Sequence, residues 1–156
     1  MNWDALGAVS ELVGAVAVVA TLIYLAVQIR QNTASNQNSA LQTVSSQYAD
    51  WLSLIIENEV VAQIYRKGLE DSEQLTADEK MRFGMLLTLL SRAGDAQYHQ
   101  YDTNAVPEEK WISTLNSFVG VLGKPGARTW WNRYGDSFTP SFQAVVNGKL
   151  LHKDST

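Results

Sequence analysis

Cysteine is absent from this chain of 156 residues. Its absence excludes a cysteine nucleophile, and it fits a reducing compartment without requiring one. The sequence also lacks the glycine-rich phosphate-binding motifs, the HExxH zinc motif and the GxSxG motif of serine hydrolases. A catalytic triad would need His99 or His152 beside an acid, and no pattern selects such a set. We therefore predict that the protein is not an enzyme.

Basic residues are also few. Twelve lysines and arginines stand against 16 aspartates and glutamates, which gives a formal net charge of −4. A nucleic-acid-binding domain is expected to present a basic face. The composition therefore predicts no nucleic-acid partner.

What the chain does have is a long apolar run. Residues 5–29 contain a single charged side chain, Glu11. At 1.5 Å per residue this run forms a helix about 37 Å long, enough to cross a hydrocarbon core of about 30 Å. Trp3 and Tyr24 lie near its two ends, about 31 Å apart along a helix, as aromatic residues do at membrane interfaces. We predict a transmembrane helix over residues 1–30.

A cleaved signal peptide and a buried core helix are the alternatives to a transmembrane helix. A signal peptide has a basic start and a short apolar core, whereas residues 1–4 are not basic and the run continues past the small residues 15–17. The buried core helix of a soluble protein is the remaining alternative. The only arginine beside the run is Arg30, at its far end, so the positive-inside rule predicts an outer N-terminus and a cytoplasmic C-terminal part. The expected location is the inner (cytoplasmic) membrane.

The segment after the apolar run is polar but helical in pattern. Residues 31–47 contain no proline or glycine to stop a helix. Apolar residues then recur every three or four positions, at Leu41, Val44, Tyr48, Trp51 or Leu52, and Ile55. We predict one helix over about residues 4–57, with a polar stalk at 31–57. A flexible linker at residues 31–40 is the alternative.

The rest of the chain, residues 58–156, predicts a small cytoplasmic multi-helix domain. A short helix over about 59–67 ends at Gly68, and the capping box of Thr76 and Glu79 opens a long helix to about residue 101. Pro107 opens the next helix, which ends at the break over residues 123–126. A helix over 127–134 follows, and Thr139-Pro140 is expected to cap the last helix, which continues to about residue 151. Expected core positions are Met81, Leu86, Leu87, Leu90, Ala93, Trp111, Leu115, Phe118 and Leu122. No alternating β pattern of useful length occurs, so the predicted fold class is all-α.

The apolar helix and several later motifs carry a resemblance. The motifs are Gln100-Tyr101, Trp111, Pro125-Gly126 with Arg128 and Trp130-Trp131, and the Phe138–Phe142 corner. Together they resemble small uncharacterised bacterial proteins that have an N-terminal transmembrane helix, a helical C-terminal part and no established activity. The resemblance implies a fold and a location.

Polar and small residues lie along one face of the apolar helix. Gly7, Glu11, Gly14, Thr21 and Gln28, here called the polar stripe, have helical offsets of 0, 4, 7, 14 and 21. Small residues let membrane helices approach closely, and polar ones bond across them. The stripe therefore predicts helix packing. In an oligomer, Glu11 would instead line a pore or ion site, and a Glu11 hydrated at the outer interface is the third possibility.

Two further groups of residues are candidate sites. Trp130 and Trp131 point about 100° apart on a helix, so one can fill the core while the other contacts a partner or the membrane interface. The alternative is that both are partly buried. Asp95, His99 and Asp102 share one helical face, but a structural zinc site usually has four ligands, so we predict a local Asp–His hydrogen bond, no metal and no cofactor.

These observations lead to one functional prediction and one alternative. The first is a non-enzymatic single-pass membrane protein that acts in assembly, or as an accessory subunit, through its transmembrane helix and helical domain. Its partners would be the lipid bilayer and either itself, as a homo-oligomer, or a larger membrane complex. The alternative is a homo-oligomeric channel or transport-like assembly with Glu11 and the polar stalk along its axis.

Overall fold

A computed structural model describes residues 3–154, with side chains for residues 7, 11–39, 42, 43 and 45–153. Over these residues every regular element is helical, which confirms the predicted all-α class. In chain order the helices are α1 (Trp3–Ile56), α2 (Glu59–Glu70), α3 (Ala77–Asp102), α4 (Glu108–Leu122), α5 (Pro125–Tyr134) and α6 (Pro140–Asp154). Short 3₁₀ turns, Ser72–Gln74 and Gly135–Ser137, precede α3 and α6.

Helix α1 is continuous over 54 residues, close to the predicted helix at 4–57. Residues 31–40 are helical, so the alternative of a linker there is wrong. The chain forms two units, the first ending at Ser39 and the second beginning at Ala40. The boundary therefore lies inside the segment predicted as a stalk, and residues 40–56 belong to the second unit.

Trp51 shows why the end of α1 belongs to the second unit. Its side chain is 2% exposed, and its indole Nε1 donates a 2.9 Å hydrogen bond to the Leu86 carbonyl of α3. Tyr65 of α2 packs edge-on against it, at 5.5 Å between ring centroids. Burial, and to a lesser degree the neighbouring Tyr48, raises the pKa of Tyr65 to about 12. The side chains of Leu41 and Val44, which begin the predicted apolar seam, lie outside the described residues, as does that of Trp3.

Helix α2 extends three residues beyond its predicted end. Gly68 was expected to terminate the helix, but it lies buried within α2, which continues to Glu70. A side chain on Gly68 would overlap the Phe83 ring of α3. On Gly126, at the start of α5, a Cβ would overlap the Gly68 carbonyl oxygen and lie 2.9 Å from the Ser72 amide nitrogen. Both glycines thus allow close packing instead of ending a helix.

Helix α3 begins as predicted. Thr76 and Glu79 form the reciprocal capping box, with the Thr76 amide donating to the Glu79 carboxylate at 2.9 Å. One predicted core position is wrong, because Met81 is 55% exposed. Met81 lies about 140° around the helix from Leu86, whereas Phe83, which was not predicted, lies on the buried face.

The core of the second unit is largely aromatic. Phe142 of α6 is fully buried, and five other rings have centroids within 6.5 Å of its own. These rings belong to Tyr98, Trp111, Phe118, Trp131 and Phe138. Trp111, Trp131, Phe138 and Phe142 are also residues on which the family resemblance rests. These four motif residues therefore pack together in one core.

The last two helices differ slightly from their predicted bounds. Helix α5 begins at Pro125, two residues early, because proline is well suited to the first helical turn. Helix α6 begins at Pro140 and continues to Asp154. The Thr139 hydroxyl, expected to cap α6, instead donates to the Asp95 carboxylate of α3, and the Thr139 amide donates to the same carboxylate at 3.3 Å.

Candidate functional site

The first unit presents one helix that is long and apolar enough to cross a membrane. This segment, Glu11–Ser39, has 29 residues, and none of its most apolar window is buried. Its large apolar side chains are about half exposed or more, as in Leu22 at 60% and Ile23 at 61%. A continuous apolar surface of this size normally marks a contact with lipid or protein.

The polar stripe lies along this helix. Because α1 is continuous, the helical repeat places its five members within about 100° of arc. At both glycines of the stripe, Gly7 and Gly14, no described atom beyond the neighbouring residues and the backbone of the same helix lies within 4 Å of the position that a Cβ would take. The stripe is thus an open surface on which a second helix can approach closely.

The polar side chains of the stripe differ in their hydrogen bonding. The Thr21 hydroxyl donates to the Ala17 carbonyl at 2.8 Å, so its polarity is satisfied within α1. Within the described part of the chain, no side chain or backbone group bonds the Glu11 carboxyl or the Gln28 amide, and both residues are exposed. In a hydrocarbon environment such groups need partners from another helix, from water or from lipid headgroups.

Trp130 and Trp131 do not form an exposed contact surface. Trp130 is 8% exposed and Trp131 is 3% exposed, so both are buried more completely than the alternative of partial burial predicted. Trp131 donates from Nε1 to the Asn147 amide oxygen at 2.8 Å and stacks on Phe138. In this structure neither indole is available to a partner or to the membrane interface.

Asp95, His99 and Asp102 line a shallow surface hollow on α3. The predicted Asp–His hydrogen bond is wrong for Asp95, whose carboxylate instead accepts from Thr139. Across the described residues, no group of three or more histidine and acidic side chains is arranged to hold a metal ion. Asp95 therefore joins α3 to the start of α6, where the positive end of the helix dipole favours a carboxylate.

The sequence did not predict a cleft in the second unit. It lies between the end of α1, α3 and α4, with a cavity volume of about 180 Å³. Ser113, Thr114 and Ser117 of α4 and Gln97 of α3 contribute its polar wall, and Leu90 and Phe118 contribute apolar surface. Gln97 and Thr114 are 17 residues apart on different helices, so no local motif connects them.

Comparison of the chain with protein-family models, with curated proteins and with solved structures finds no match in any of the three.

Proposed function

We propose that the chain is a single-pass membrane protein that acts without catalysis, as an assembly or accessory subunit, through helix contacts along its polar stripe. The observation that carries the proposal is the exposed apolar segment of α1. Lipid would cover most of this surface, because moving apolar surface out of water makes the largest favourable contribution to the free energy of insertion.

The polar stripe supports a helix partner within that membrane. Two glycines with open space beside them allow close approach, and Glu11 and Gln28 have hydrogen-bonding capacity left over. Lipid tails satisfy neither group, whereas a second helix can satisfy both. The partner is a second copy of this chain or a larger membrane complex.

The proposed orientation places the N-terminus outside and the second unit in the cytoplasm, at the inner membrane. Arg30 at the inner end of the apolar segment supports it. Single cysteines in this cysteine-free chain allow a direct test. An impermeant maleimide added outside intact cells should label Asn2→Cys and leave Ser141→Cys unlabelled. The opposite labelling would reverse the topology, and recovery of the intact chain in the soluble fraction without detergent would contradict membrane insertion.

Single cysteines in the same cysteine-free chain can also test whether a second helix packs along the polar stripe. We expect oxidation in membranes to cross-link Gly14→Cys and Thr21→Cys chains into dimers if the partner is a second copy. The matched controls are Val16→Cys and Ile23→Cys, each two positions further along and about 160° around the helix. All four positions are exposed.

The pattern of cross-links separates the possible partners. Dimers confined to the stripe positions support self-association, and stripe-confined adducts with a different protein of fixed mass support the accessory role. Equal cross-linking on both faces, or none to any protein on either face, would contradict packing along the stripe.

A channel or transport-like homo-oligomer is the second candidate, favoured by the unbonded carboxyl of Glu11. Substitution Glu11→Gln keeps the size of the side chain and removes its charge. The variant should alter ion conductance in reconstituted bilayers if the carboxyl lines a pore. Unchanged conductance together with unchanged assembly would eliminate a ring of Glu11 side chains.

A further inference from the structure

We propose that the cleft between α1, α3 and α4 binds a small neutral carboxamide. This inference concerns the second unit alone, and it is independent of the proposed membrane role. It rests on two polar side chains whose hydrogen bonding is incomplete, on the lack of charge in the cleft, and on its volume.

Gln97 and Thr114 supply the polar contacts. Gln97 is 3% exposed, and its Nε2 donates a 3.0 Å hydrogen bond to the Thr114 Oγ1. Among the described residues, none donates to the Gln97 Oε1, and the Thr114 hydroxyl donates to none. The pair therefore presents one acceptor and one donor side by side. A primary carboxamide has the complementary pair, since its N–H donates and its carbonyl accepts.

The rest of the lining sets the charge and size of the ligand. No lining residue is an aspartate, glutamate, lysine, arginine or histidine, so an ionic ligand would lose its hydration without gaining a counter-charge. Leu90, Phe118 and Val121 supply apolar surface for a ring or a short chain. Since a cavity of about 150 Å³ holds benzene, the volume of about 180 Å³ suits a single six-membered ring, and the open side of the cleft leaves room for its substituents.

The test uses 4-fluorobenzamide as the ligand and 4-fluorobenzoate as a comparison probe, which has nearly the same shape but differs in charge and in hydrogen-bond donors. Benzoate is an anion at neutral pH and has no N–H donor. Binding to the full chain in lipid nanodiscs is followed by ¹⁹F relaxation of the probe, with empty nanodiscs subtracted. We expect saturable amide binding in the millimolar range or tighter and at least tenfold weaker binding of the benzoate.

Two variants locate the binding. Thr114→Val keeps the shape of the side chain and removes the hydroxyl, so the amide should bind about three- to tenfold more weakly. Its matched control is Thr88→Val, an exposed α3 position whose hydroxyl bonds only the Gly84 carbonyl of its own helix, where binding should not change. Ala93→Leu fills the cleft and should abolish binding, and it serves as a second variant if Thr114→Val does not fold.

Each alternative result overturns the proposal. No saturable amide binding would mean that water alone fills the cleft. Equal binding of 4-fluorobenzamide and 4-fluorobenzoate would show that Gln97 and Thr114 do not recognise the carboxamide group. Amide binding unchanged in both Thr114→Val and Ala93→Leu would place the ligand elsewhere on the chain.

Discussion

Replacement of Gly126 by alanine should strongly destabilise the second unit. A Cβ at this position would overlap the Gly68 carbonyl oxygen and lie 2.9 Å from the Ser72 amide nitrogen. Both atoms belong to the backbone, so no side-chain rotation can relieve the overlap. Helix α5 would have to move away from α2, and Gly68 would no longer be covered.

The size of the effect follows from this geometry. Overpacking of a core costs about 1–3 kcal/mol and occasionally more. Because two backbone groups resist the movement, we expect about 3 kcal/mol or more for Gly126→Ala. At roughly 3–5 °C per kcal/mol for a unit of this size, the melting temperature should fall by about 10 °C. Gly120→Ala is the matched control, since beyond its chain neighbours and the backbone of α4 no described atom lies within 4 Å of its Cβ position. There alanine should stabilise by about 0.5–1 kcal/mol, because it is the better helix former.

The measurement is thermal and urea unfolding of the full chain in nanodiscs, followed by near-UV circular dichroism and tryptophan fluorescence. Four of the five tryptophans lie in the second unit, so these signals report on it. A melting temperature for Gly126→Ala within about 2 °C of the natural chain would refute the close contact of α2 and α5. Destabilisation of Gly120→Ala by as much as Gly126→Ala would refute the reasoning from local space.

Three further predictions concern the second unit. Trp51→Ala should lower the free energy of unfolding by about 3–5 kcal/mol in urea titrations. Trp51→Phe should lower it by only about 1–2 kcal/mol, because an aromatic ring remains and the bond to Leu86 is lost. No loss in Trp51→Phe would contradict that bond, and equal losses in the two variants would contradict the contribution of the ring. Ser91→Ala should leave stability unchanged or raise it by up to about 1 kcal/mol, since the Ser91 hydroxyl is fully buried without a hydrogen-bond partner among the described residues; a loss above about 1 kcal/mol would show that the hydroxyl is satisfied. The raised pKa of Tyr65 means that the folded chain holds the phenol proton more tightly than the unfolded chain, so stability should fall as pH rises from 10 towards about 12. Tyr65→Phe should remove this component, and an unchanged pH profile in that variant would assign it to another group.

The helices were predictable because their signals are local. The capping box at Thr76 and the proline at residue 107 determine helix starts through groups within one turn. The end of α2 was not predictable, because Gly68 is a common helix terminator and only the ring of Phe83, 15 residues later, shows why it lies within the helix. Tertiary packing against Phe83 therefore explains why Gly68 lies within α2 and does not end it.

The candidate sites also differ in whether local sequence or tertiary packing determines them. The polar stripe could be predicted from residue spacing alone, since a continuous helix determines which residues share a face. Burial of both Trp130 and Trp131 depends on surroundings that come from other elements, among them Phe138 and Asn147, so angular spacing on their own helix could not decide it. The Gln97–Thr114 pair joins two helices through a bond between side chains, and it has no signature in the sequence.

The position of Phe142 has a consequence for how the second unit comes apart. Rings from α3, α4, α5 and the turn before α6 all meet this one side chain. Release of α6 would therefore expose aromatic surface on all four of these elements at once. Amide protons in these helices should exchange with solvent in a single cooperative step, with no subset opening early.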